Sequence, residues 1–161
     1  MVLFSLEVKH PRALAASRVL RVSAREQLAA MGLASRELSL TLVSDRRIRV
    51  LNRSHRAKDA STDVLSFPQE EPGVAARAVG PIGDVVISLH TAIRQAEEGG
   101  WTLAVELRRL LAHGLLHCLG HDHQDARSAK RMDAAERKLL GREGMVGASN
   151  ASLARTDRVA R

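Results

Sequence analysis

An α+β fold, with a single small mixed β-sheet of about four strands packed with about five helices, is what this sequence predicts. Three observations carry the expectation. The chain has 161 residues, 45% of them hydrophobic, enough for one domain with a core of its own and short for two. Segments of period-two alternation are interleaved with segments of helical periodicity. No internal repeat divides the chain.

The elements follow in order. Leu3 to Val8 reads as a first strand, and Ala13 to Met31 as an amphipathic helix ended by Gly32. Leu38, Leu40 and Leu42 alternate with Ser39, Thr41 and Val43 in a second strand. Ser44 or Asp45 can cap the next helix, which ends near Arg56. Thr62 to Phe67 is a third strand stopped by Pro68, and Glu70 to Pro81, with two prolines and two glycines, is a loop. Asp84 to Leu89 is a fourth strand. Thr91 to Glu98 is a helix closed by Gly99 and Gly100, Leu103 to Leu119 a longer helix, and Ser128 to Leu140 a last one before Gly141. Residues 1–142 then form the single domain. The small, polar, arginine-dotted stretch 143–161 is expected to be a disordered tail.

The net charge of +7 favours a polyanionic partner, nucleic acid before anionic membrane. Tyrosine is absent and Phe4, Phe67 and Trp101 are the only aromatic residues, which argues against recognition by a platform of rings stacked on bases. Contacts to such a partner should run from arginine to phosphate. One cysteine, Cys118, excludes an internal disulfide and fits a reducing compartment. The first residues lack the basic and apolar regions of a signal peptide, and no apolar run is long enough to span a bilayer. A cytoplasmic protein with no membrane partner is expected.

The run from His113 to His123 is the chemical centre of the sequence. His113 and His117 are four apart and project from one face of the helix. Gly120 can take the left-handed conformation that ends helices and so return a third imidazole towards the first two. Three neutral imidazoles around an open fourth position are how a catalytic zinc is held, here at the end of a buried helix. His123 is favoured over His121, because H-x-x-x-H-x-x-G-x-x-H is the spacing in which a glycine turn delivers the third histidine. Metzincin proteases carry a glutamate directly after the first histidine, and Gly114 stands there instead, so the carboxylate of peptide hydrolysis is missing. Glu106, Arg109, His113 and His117 form one polar stripe on an otherwise apolar helix. Glu106 can hydrogen-bond a ligand's free nitrogen or, at least as readily, pair with Arg109 or Arg108. Cys118, about 100° around the helix from His117, reads as packing. A second stripe, Arg46, Arg49, Arg53 and Arg56, recurs at three, four and three residues and can follow a phosphate backbone.

Residues 113–123 resemble the signature of the YbeY family of bacterial rRNA-maturation endoribonucleases, His-Gly-x-Leu-His-x-x-Gly-Tyr-Asp-His, with His121 in place of the tyrosine. Leu51 to Asp59 followed by Thr62 to Pro68 is similar to a second family block, and Gly83 to Ser88 with Gln95 and Ala96 to a third. The resemblance implies one zinc ion held by His113, His117 and His123. It implies single-stranded or ribosomal RNA as substrate, and a role in small-subunit rRNA 3′-end maturation and ribosome quality control, with no DNA partner. Arg56 matches a family position and would stabilise charge at the scissile phosphate; an ion pair with Asp59 or Asp63 is its structural alternative. Two other readings stand beside this one. A zinc peptidase leaves Gly114 and the arginines unexplained. A non-catalytic, zinc-containing ribosome-assembly factor would use His121 as a fourth ligand.

Overall fold

The computed structural model describes residues 1–69 and 80–156, with side chains up to Gly141. Among them the chain runs β1 (Val2–Glu7), α1 (Ala13–Ala30), β2 (Glu37–Val43), α2 (Asp45–Arg56), β3 (Val64–Pro68), β4 (Pro81–Ser88), α3 (Leu89–Gly99), α4 (Leu103–Cys118) and α5 (Ala126–Thr156). The four strands form one sheet in the order β1-β2-β4-β3. β1, β2 and β4 are parallel, and β3 is antiparallel to β4, so the sheet is mixed as expected.

Each strand's alternation sorts its side chains between the two faces. Leu38, Leu40, Leu42, Val85 and Ile87 enter the main core with Leu20, Leu28, Leu107, Leu110, Leu111 and Leu115, which packs α1, α3 and α4 on one face. The opposite side of the same strands gives Val43, Leu65 and Val86, which meet Ile48 under α2. Edge strand β3 is therefore flanked by α4 on one face and by α2 on the other.

Boundaries differ from expectation where a side chain or a pairing decides them. β3 starts at Val64, after a bend at Asp63 whose carboxylate accepts the Val64 N–H at 2.8 Å. Pro68 closes β3 from inside the strand, which an edge position tolerates. β4 begins at Pro81, three residues early. Glu37 pairs with Pro81 and Leu38 with Gly83, so Ile82 bulges out of register. Most of the predicted loop 70–81 lies outside the described residues. α3 starts at Leu89, because the Ser88 hydroxyl accepts the Thr91 N–H. α5 starts at Ala126, because the Asp125 carboxylate accepts the N–H groups of Arg127 and Ser128, both at 2.9 Å. α5 is interrupted at Gly141, with φ 62° and ψ −161°, beside the expected domain end. Where a disordered tail was expected over 143–161, the described backbone is helical to Thr156; side chains beyond Gly141 and all of 157–161 lie outside the described residues.

Candidate metal centre

Helix α4 brings the first two histidines to one place. The Thr102 hydroxyl accepts the Val105 N–H and caps its start. At its other end the Gly120 N–H donates to His117 O and the His121 N–H to Leu116 O, both at 3.0 Å. Those two bonds form a Schellman turn, with Gly120 at φ 90° as its left-handed residue. The chain therefore reverses immediately after the helix, and His123 returns over the turn that carries His113 and His117. The three rings close on one another, with centroids 4.5, 5.1 and 5.8 Å apart. One nitrogen from each lies within 4.8 Å of the other two, and His121 is outside that set.

The donor set fits a divalent transition metal. Nε2 of His113 and Nε2 of His117 face each other at 3.0 Å. Two nitrogens sharing a tetrahedral zinc at their usual bond lengths lie about 3.3 Å apart. His113 Nδ1 points away from the cluster to the Glu136 carboxylate on α5, at 2.6 Å. Burial, with the nearby His113 and His123, pushes the His117 pKa down to about 4; a backbone bond at His121 opposes this, and the Arg56 charge adds to it. His117 is thus held neutral, the form that ligates a metal.

The other sequence-marked residues divide clearly. Arg56 is the last residue of α2, and Ala57 behind it takes the left-handed conformation at φ 55°. The His55 ring packs edge-on against Phe67 of β3 at 5.0 Å, which fastens the end of α2 to the edge strand lying beneath α4. The Arg56 charge is thereby brought close enough for His117 to feel it. Neither expected partner holds Arg56. Asp59 is paired with Arg49 through two bonds of 2.9 and 3.0 Å, and Asp63 accepts from the Val64 N–H and Gln95. The stripe on α2 is exposed, and Arg49 is the member of it spent on an ion pair.

Glu106 lies two turns before His113 on the same helix. It accepts from Arg109 at 2.5 Å and from the Trp101 indole at 2.6 Å, so the ion-pair alternative holds, in the buried interior. Gly114 proves to be a contact point. A Cβ there would lie 2.8 Å from Val85 Cγ1 and 3.1 Å from Val64 Cγ2, so a glutamate has no room. Cys118 is buried, and burial pushes its thiol up to about 12, consistent with packing. Glu136 is what sequence reasoning missed. Its signal was a carboxylate among Met132, Leu139 and Leu140, at the spacing of the inward face of α5.

Comparison with known proteins now adds its own result. A family model described as Endoribonuclease YbeY matches residues 6–144. The chain belongs to the YbeY family. A Myxococcus xanthus relative named Endoribonuclease YbeY is 52% identical over 145 residues, which are 90% of this chain and 49% of that protein. The chain thus spans about half the length of that relative. An Anaeromyxobacter relative of the same name is also 52% identical over 145 residues, covering 89% of this chain and 73% of the relative. Among solved structures, the solution structure of a Thermotoga maritima protein covers 92% of this chain and 95% of its own at TM-score 0.57 and 21% identity, a shared fold. The YbeY match covers the cluster, the arginine helix and the edge strand between them.

Proposed function

We propose that this chain is a zinc-dependent, single-strand-specific endoribonuclease, acting in maturation of the small-subunit rRNA 3′ end and in ribosome quality control. The observation that carries the reading is the convergence of His113, His117 and His123, in a chain of the YbeY family. Residues 1–142 would be the catalytic domain, and 143–161 a C-terminal extension outside it. The expected setting is the cytoplasm, with RNA and the small ribosomal subunit as partners and neither DNA nor membrane. No helix among the described residues is long and apolar enough to cross a membrane.

The chain's own residues account for binding and charge. His113, His117 and His123 would hold one zinc ion, and His121 stays outside their set, so three protein ligands leave a position for substrate or water. When bound, zinc supplies a Lewis acid and an acidified water, of pKa about 7. Arg56 would bind a phosphate oxygen through its planar fork and offset the charge that develops there. Arg46 and Arg53, exposed on the same helix, would hold the flanking backbone. The Gly114 contact disfavours a peptidase, since a glutamate at position 114, next in sequence to the first ligand, would collide with Val85 and Val64.

The test is cleavage of a single-stranded RNA by the purified chain, with and without a zinc chelator, followed by analysis of the new ends. Cleavage should stop on chelation and return with zinc. A 2′,3′-cyclic phosphate would assign attack to the RNA 2′-hydroxyl, a 5′-phosphate to water. Undiminished cleavage by the chelated protein would refute the zinc requirement.

A further inference from the structure

We infer that Glu136 is a positioning residue for the metal centre, one that fixes which nitrogen His113 presents. The inference rests on the zinc reading above and concerns a residue outside the ligand set. A neutral imidazole carries one proton, and the two tautomers place the available lone pair on opposite sides of the ring. In His113 those sides have different neighbours: Nε2 faces His117 Nε2 at 3.0 Å, and Nδ1 faces Glu136 Oε1 at 2.6 Å. A carboxylate accepts only, so the short contact requires the proton on Nδ1 and leaves the Nε2 lone pair towards the cluster. The side chains are 13% and 19% exposed, so water competes weakly for this bond. A carboxylate behind a ligating histidine also raises the basicity of the ring and thereby its strength as a ligand.

The same bond ties the centre to helix α5. His123 lies three residues before Ala126, where α5 begins, and Glu136 lies ten residues into it. Met132 and Leu140 bury the inward face of that helix. A metal bound by His113 and His123 would therefore be linked to α5 at two points: through the short loop to its start, and through Glu136 to its body.

Zinc affinity of the full-length chain, measured by competition with a chromophoric chelator, tests this directly. Glu136→Ala should weaken zinc binding by about 10- to 100-fold, the scale of losing such a partner. Glu136→Gln, whose amide oxygen can still accept the Nδ1 proton, should fall between Glu136→Ala and wild type. Met132→Ala empties a buried position on the same helix while keeping the Glu136 carboxylate, and should lower the melting temperature with little change in zinc affinity. Wild-type affinity in Glu136→Ala would overturn the inference. So would a glutamine variant no better than alanine, or a Met132→Ala variant that loses as much zinc affinity as Glu136→Ala. Failure of the underlying reading looks different: the wild-type chain would then bind zinc no more tightly than His117→Ala.

Discussion

Helices α4 and α2 each carry a polar stripe at helical spacing, but their surroundings differ. On α4, Glu106 and Arg109 are buried and the histidines half-buried, within a helix whose remaining circumference is largely core. On α2 only Ile48 and Asn52 are buried, and Arg46, Arg49, Arg53 and Arg56 are all exposed. Burial makes every polar group on α4 find a defined partner, because an unpaired one there costs its full desolvation. Exposure leaves the α2 arginines able to exchange water for a ligand at little cost. The rigid stripe suits metal ligation, and the solvated one suits a mobile polyanion that must also leave.

Replacing the ligands should have the largest effect. His113→Ala, His117→Ala and His123→Ala should each abolish stoichiometric zinc by elemental analysis, and His121→Ala should retain it. If His121→Ala lost the metal and His123→Ala kept it, the assignment of the third ligand would be reversed. Next in size is the exposed stripe. Arg56→Ala should reduce RNA cleavage by at least ~100-fold, the scale of one charge-stabilising donor. Zinc content and thermal stability should remain near wild type, and Arg56→Lys should rescue poorly because it cannot grip two oxygens in one plane. Arg49→Ala, whose partner is Asp59, should leave single-turnover cleavage nearly intact. A destabilised but fully active Arg56→Ala protein would erase the contrast between the two helices.

The smallest effect is electrostatic and belongs to the buried stripe alone. In metal-free protein the folded pKa of His117 is about 4, against 6.5 as the reference value. Between those values the unfolded chain binds more protons than the folded one, so stability falls as pH drops from about 6.5 to 4. Below 4 both states are protonated and this dependence ends. His117→Gln should flatten the profile in that window by chemical denaturation; an unchanged slope would assign it to another group.

The sequence made the fold and the histidine cluster legible where the signal is local. Alternation at Leu38, Leu40 and Leu42 is a local property, and so is the i, i+4 pair of histidines. Gly120 was readable because a Schellman turn demands a left-handed residue at that place. Pro81 read as the end of a loop because prolines and glycines punctuate that stretch, but pairing with β2 across the sheet overrides local preference. The partners of polar groups were the least legible. Glu106 shares the histidines' stripe, yet it belongs to Arg109 and Trp101, and Glu136, 23 residues beyond His113, comes close only because α5 packs on α4. Nor did the motif explain Gly114, which reads as a missing glutamate until Val64 and Val85 are seen beneath it.

The order of the strands bears on when this centre can come into being. β4, which sits between β2 and β3, is the last strand in sequence, so all the strands of the sheet precede His113 in the chain. The main core needs the leucines of α4 against β2 and β4, so the histidine helix completes the same unit that carries the arginine helix. The three imidazoles meet only after the turn at Gly120 has formed and residue 123 has emerged. In chain order the basic helix and its edge strand come before the histidine cluster, so the two halves of the site are drawn from separate stretches of the sequence and meet only in the fold.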